Sequence, residues 1–100
     1  RWPWPAPERR AGTMAFKKLR GVDLPEEKQG LIRYTCLDWR AQPVWVQEKI
    51  RYICEQVAGA YQHALFEVMT TNRSITAIAM EHAISESLLY AMRKSFYERW

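Results

Sequence analysis

The sequence has little glycine and proline, the residues that interrupt regular secondary structure, and it has no long apolar run. Only 4 of its 100 residues are glycine and 5 are proline, which excludes a collagen-like or low-complexity chain. No apolar stretch approaches the ~20 residues that span a bilayer, so no membrane segment is expected. The N-terminus lacks the basic-then-apolar pattern of a signal peptide, which favours a cytoplasmic location. Cys36 and Cys54 form no C-x-x-C pair, so we expect two reduced thiols.

The motifs of common catalytic and metal sites are also missing. There is no P-loop, no G-x-S-x-G and no H-E-x-x-H, so we do not expect an enzyme. Cys36 or Cys54 with His63 can be drawn as a nucleophile and base, but lone Cys and His residues on helices are mostly structural. A zinc site from Cys36, Cys54, His63 and His82 lacks the short paired spacing of structural sites. No metal and no other cofactor is therefore expected.

The chain has enough apolar residues for one small core. Hydrophobic residues make up 48% of it, and a chain of this length buries roughly 60–70% of its unfolded surface. Apolar residues recur at spacings of three and four from Val46 to Val68, which predicts helix over 44–70, either continuous or broken near Ala58-Gly59-Ala60. No segment alternates as a strand does. We predict an all-α fold of four to five helices that ends in a helix-turn-helix.

The first predicted helix follows a start signal at residues 21–27. Asp23 is a candidate cap, and Pro25 suits the first turn. The helix is expected to run to about Trp39, because Pro43 disfavours helical backbone just before it.

The predicted domain covers residues 21–100, and residues 1–20 are predicted to be a flexible basic arm. Prolines at 3, 5 and 7 forbid helix there, and the arm carries six basic side chains and one acidic one. Met14 is a plausible start, so we expect that residues 1–13 do not belong to the native protein. The alternative is a Trp/Arg arm that contacts lipid or a DNA groove.

One pattern near the C-terminus is more specific. Residues 74–97 read SITAIAMEHAISESLLYAMRKSFY and resemble the helix-turn-helix of DNA-binding regulators. Ala79 is the small residue where the helices cross, 83–85 form the turn, and Ser74 and Ser85 are caps. The apolar positions that wedge the helices together are Ile78, Ile84, Leu89 and Met92. The pattern departs at Ala83, where glycine is usual, and at His82, where an apolar residue is usual.

The upstream context extends this resemblance. Residues 61–73 are similar to the helix and connector that precede the helix-turn-helix in region 4 of bacterial sigma factors. The same arrangement ends small phage transcription regulators of the ArpU/RinA type. The resemblance implies a DNA-binding regulator of phage or prophage type whose helix 86–99 enters the major groove. It places base readout on Ser85, Glu86, Ser87, Tyr90, Ala91 and Lys94. Phosphate contacts are expected from Arg73, Thr76, Arg93 and Lys94.

The charge distribution bears on the partners. The net charge is +4, but residues 73–100 carry only four basic and three acidic side chains, so one module would bind double-stranded DNA weakly. We therefore expect either a homodimer through 44–70 or RNA polymerase as a partner. The apolar seam from Val46 to Val68 forms such a dimer or packs within one chain. The aromatic candidates for a contact surface are Trp39, Trp45, Phe96 and Trp100, whose alternative place is the core.

Two other functions remain open. The chain is alternatively an all-helical protein-interaction or oligomerisation module, or a ring-forming phage DNA-packaging subunit, without sequence-specific DNA binding. The exposure of Ser87, Tyr90 and Lys94 on one face discriminates between these hypotheses, because a buried face cannot read DNA.

Overall fold

The structure is a computed structural model that describes residues 18–100. It contains five α-helices, joined in part by short 3-10 turns at Trp39–Ala41 and Gly59–Tyr61. The helices are α1 (Glu26–Leu37), α2 (Val44–Ala58), α3 (Gln62–Thr70), α4 (Ile75–His82) and α5 (Glu86–Arg99). Residues 18–100 contain no strand, and the predicted all-α class is confirmed. No helix in this part of the chain is long and apolar enough to cross a membrane.

The short helix α3 lies at the centre of the fold and packs against each of the other four helices. Its Leu65 and Met69 are fully buried. Around them lie buried residues from every other helix, which include Ile32, Cys36, Ile50, Ile53, Ile78, Leu89 and Phe96. Most residues of the seam between Val46 and Val68 are buried in this core and pack within the chain, while Val57 is half-buried and Tyr61 is exposed.

The long helical pattern breaks at Gly59. This residue has φ 54° and ψ −117°, a backbone conformation that residues with a Cβ rarely adopt. The helix α2 therefore ends at Ala58, and α3 begins at Gln62 after the short 3-10 turn. Of the two predicted alternatives, the broken helix is confirmed and the continuous helix is wrong.

The first helix begins later and ends earlier than its pattern predicts. Pro25 occupies the N-cap position, and its carbonyl oxygen accepts from the backbone N–H of Gln29 at 3.0 Å. No side chain caps this end, so the prediction of Asp23 as the cap is wrong. The helix stops at Leu37, and Trp39 lies in the 3-10 turn that follows.

A buried glutamine holds the segment before α1 against the domain. Gln29 is fully buried, and its Oε1 accepts from the backbone N–H of Leu19 at 2.9 Å. Its Nε2 donates to the carbonyl oxygens of Leu24 at 3.0 Å and Val22 at 3.5 Å. The predicted arm at 1–20 lies outside the described residues except for its last three. Of these three, Leu19 already belongs to the packed part of the chain.

Arg33 connects α1 to the C-terminal end of α3. Its Nη1 donates to the carbonyl oxygens of Val68 at 2.7 Å and Met69 at 2.9 Å, and its Nη2 donates to that of Thr71 at 3.0 Å. Carbonyl groups at this end of a helix have no partner within the helix. The guanidinium satisfies them, and its positive charge complements the negative end of the helix dipole.

We expect Gln29→Leu to lower the free energy of unfolding by about 2 kcal/mol, because it leaves buried backbone groups without hydrogen-bond partners. Urea denaturation measures this change, and faster hydrogen exchange at the Leu19 amide locates it. Gln56→Leu, on the exposed surface of α2, is the control and should change stability by less than about 0.5 kcal/mol. Equal stability of the two variants would show that Gln29 does not hold the segment.

Candidate nucleic-acid interface

Three residues, Ala83, Ile84 and Ser85, join α4 to α5. Ala83 adopts the left-handed conformation, with φ 57° and ψ 45°. This turn lets the N–H of Ile84 donate to the carbonyl oxygen of Ala79 at 3.0 Å, and the N–H of Ala83 donate to that of Met80 at 3.3 Å. The turn thus has the left-handed geometry that usually calls for glycine.

Serine caps fix where both helices begin. The Ser74 hydroxyl oxygen accepts from the N–H of Ala77 at 3.0 Å, and that of Ser85 accepts from the N–H of Leu88 at 3.1 Å. Both predicted caps are confirmed. The predicted wedge residues Ile78, Leu89 and Met92 are buried, as is Ala79, while Ile84 is half-buried. The burial of these apolar residues holds α4 against α5.

The outward face of α5 is polar and exposed. Ser87, Ala91, Lys94 and Glu98 are separated by three or four residues, so they lie on one face of the helix, and all four are exposed. Tyr90, at the edge of this face, is 46% exposed. The opposite face is buried in the core through residues that include Leu89, Met92 and Phe96.

The predicted DNA contacts divide by exposure. Eight of the nine are exposed, namely Arg73, Thr76, Ser85, Glu86, Ser87, Tyr90, Ala91 and Lys94. Arg93 is half-buried, and its guanidinium carbon lies 5.1 Å from the centre of the Tyr90 ring. Burial lowers the pKa of Arg93, but an arginine remains protonated at neutral pH.

Arg73 is engaged by two carboxylates. Its Nη1 lies 2.7 Å from Oε2 of Glu67 and 2.6 Å from Oε1 of Glu81. Nε2 of His82 lies 2.7 Å from the other oxygen of Glu67, which accounts for a histidine at a position where an apolar residue is usual. The hydrogen bond from His82, together with Arg73, lowers the pKa of Glu67. The charge of Arg73 is therefore offset locally, which makes it a weaker phosphate contact than the sequence suggests.

This ionic cluster also contains metal-ligating atoms. Within residues 18–100, Glu67, Glu81 and His82 form the group whose candidate ligand atoms lie within 4.8 Å of one another. The Arg73 guanidinium already supplies the positive charge between the two carboxylates. The arrangement is therefore that of an ion-pair network that ties α3 to α4.

A groove of about 710 Å³ lies beside the exposed face of α5. We call it the basic groove, because five of its lining residues are basic and none is acidic. Its lining residues are Lys18, Leu19, Arg20, Val22, Arg33, Tyr90, Ala91, Arg93, Lys94 and Tyr97. Burial raises the pKa of Tyr97 to about 12. Sequence reasoning missed Lys18, Arg20 and Arg33, since no local pattern links residues so distant in the chain from α5.

The two cysteines belong to the core. Cys36 and Cys54 are buried and unbridged. Burial raises the pKa of Cys54 to about 12 and that of Cys36 further, which disfavours a nucleophilic thiolate at neutral pH. His63 is exposed. In the described part of the chain, Cys36, Cys54, His63 and His82 do not come together as a metal-ligand set.

Comparison of the chain with models of protein families, with curated proteins and with solved structures finds no significant match.

We expect Ala83→Gly to raise the free energy of unfolding by roughly 0.5–1 kcal/mol, because glycine adopts the left-handed conformation without a steric cost. Chemical denaturation measures the change. Ala77→Gly, inside α4, is the matched control and should lower stability by about 1 kcal/mol. A loss of stability in both variants would contradict the left-handed turn.

The lowered pKa of Glu67 makes a second prediction. A carboxylate whose pKa is lower in the folded state stabilises the fold at higher pH, and this contribution is lost as the pH falls through that lowered value. Glu67→Gln should therefore melt at a lower temperature than the wild type at pH 7. The difference should close as the pH falls below 4.5, the ordinary value for this group.

Thermal melts across this pH range make the comparison. Glu55→Gln removes an exposed carboxylate of α2 outside the cluster and should follow the wild type at every pH. A difference in melting temperature between Glu67→Gln and the wild type that stays constant with pH would contradict this prediction.

Proposed function

We propose that this protein is a DNA-binding transcription regulator of phage or prophage type. In this proposal α4 and α5 form a helix-turn-helix, and α5 lies in the major groove. One observation carries the proposal: α5 exposes Ser87, Tyr90, Ala91 and Lys94 beside one another while its opposite face is buried. A buried readout face would have excluded DNA binding, and this face is accessible.

The chemistry of the exposed residues suits both kinds of contact with a duplex. Ser87 bonds either a base edge or a phosphate, and Glu86 accepts from the N4 amino group of cytosine. Ala91 provides an apolar contact for a thymine methyl group. Lys94 is long and positively charged, which suits a phosphate oxygen.

A single module of this size needs additional binding energy. Most of the internal seam is buried, but Trp45 is 68% exposed and Tyr52 is 60% exposed. They are seven residues apart on α2, so they share a face of the helix. Exposed aromatic rings on one face favour a protein contact, and we propose a second copy of the chain or RNA polymerase as the partner. The same observation favours the second candidate function, a protein-interaction module without DNA binding.

We expect the full chain to bind a random-sequence duplex pool in a fluorescence-anisotropy titration, with affinity that falls as salt rises from 50 to 200 mM. The double variant Ser87→Glu/Lys94→Glu should lose this binding, because it places negative charge where the phosphates and base edges lie. Selection from the pool by the wild type then identifies the preferred site.

The matched control is Lys28→Glu/Gln56→Glu, which changes the net charge by the same amount at exposed positions of α1 and α2. It should retain most of the binding. No binding by the wild type at 50 mM salt would reject the proposal in favour of the interaction module. Equal loss in both variants would show that net charge, and not the face of α5, controls binding.

A further inference from the structure

The basic groove compensates for the low positive charge of α5 itself. Residues 73–100 carry only one more basic than acidic side chain. The fold brings Lys18 and Arg20, which precede α1, to the same groove as Arg33 of α1. Arg93 and Lys94 of α5 also line this groove. The positive charge is therefore concentrated beside the exposed face, although the sequence separates it.

Most of this charge has no acidic partner among residues 18–100. The ion pairs of residues 18–100 all involve Arg73 or His82, so no described carboxylate lies within ion-pair distance of Lys18, Arg20, Arg93 or Lys94. Arg33 donates its hydrogen bonds to the carbonyl groups at the end of α3. Like charges gathered without counter-charges repel one another, and an anionic ligand relieves that repulsion.

The segment that carries Lys18 and Arg20 is held in place. Gln29 bonds the backbone on both sides of the turn at Gly21, through Leu19 and through Val22 and Leu24. Gly21 has φ 78°, and the Nζ atom of Lys94 lies 4.0 Å from the point where a Cβ on this glycine would stand. The backbone that carries Lys18 and Arg20 is therefore held beside Lys94 of α5.

The position of the groove matches the path of a DNA strand. The major groove is about 12 Å wide, and an α-helix with its side chains measures about 10–12 Å across. Phosphates therefore run along both flanks of a helix that lies in it. Tyr90 and Arg93 lie along one edge of the exposed face by their spacing of three, and together with the buried Tyr97 they line the basic groove.

We propose that the basic groove binds the phosphate backbone of the DNA strand that runs along this flank of α5, with Lys18 and Arg20 as backbone contacts. The inference rests on the proposed function and adds residues from the opposite end of the chain to the interface. Contacts of this kind are independent of base sequence. Lys18 and Arg20 therefore set affinity and salt dependence, while the N-terminal residues of α5 set selectivity.

The test is the salt dependence of duplex binding by Lys18→Ala/Arg20→Ala. Each phosphate contact contributes about 0.9 to the slope of log K against log salt, so two contacts contribute about 1.8. Between 50 and 200 mM salt the wild type should lose about 12-fold more affinity than the variant. This difference between the wild type and the variant should be the same for the selected duplex and for unrelated duplexes. Both side chains are exposed, and unchanged circular dichroism and melting temperature verify that the variant folds.

Lys28→Ala/Arg51→Ala removes the same charge at exposed positions that do not line the groove, and it should keep the wild-type slope. Duplex binding with an unchanged slope in Lys18→Ala/Arg20→Ala overturns the inference and leaves the proposed function standing. Absence of duplex binding by the wild type overturns both. The inference would also be overturned if the wild type binds ATP tightly and the replacement of Lys18 and Arg20 leaves duplex binding unchanged. The groove would then bind a free phosphate ester.

Discussion

The contact between Arg33 and the C-terminal end of α3 is the constraint on which the rest of the structure depends. The central helix α3 packs against all the others, and the chain leaves its end directly toward α4. By satisfying the carbonyl oxygens of Val68, Met69 and Thr71, one guanidinium fixes where that departure occurs. The same side chain forms part of the basic groove. One residue of α1 thus helps both to position the start of the connection to α4 and to supply the charge beside α5.

Local signals in the sequence predict local features of the fold well. The caps at Ser74 and Ser85 need only a hydroxyl oxygen and a nearby backbone N–H, and the break at Gly59 needs only the freedom of one glycine. Both kinds of feature are encoded within a few residues. Asp23 shows the limit of such reasoning, since Pro25 takes the N-cap position two residues later.

The features that sequence reasoning missed arise from tertiary contacts. Glu67 lies in α3 and Glu81 lies in α4. No pattern close to Arg73 in the sequence indicates that its guanidinium contacts both carboxylates. Likewise, the meeting of Lys18 and Arg20 with α5 depends on the buried Gln29 and the turn at Gly21. Charge counted along the chain therefore understates the charge beside α5. Helical spacing alone predicts that Ser87, Ala91 and Lys94 share a face, but whether that face is exposed depends on how α5 packs on the other helices.

The attachment of Leu19 to Gln29 has a practical consequence for handling the molecule. Leu19 is bonded to Gln29 and Lys18 lines the basic groove, so residue 18 lies at the edge of the surface that α5 exposes. A fluorophore or fusion partner joined at residue 18 is therefore tethered beside that surface. Such an addition alters the local concentration of charge and bulk where α5 meets its ligand, so binding should be compared before and after its removal.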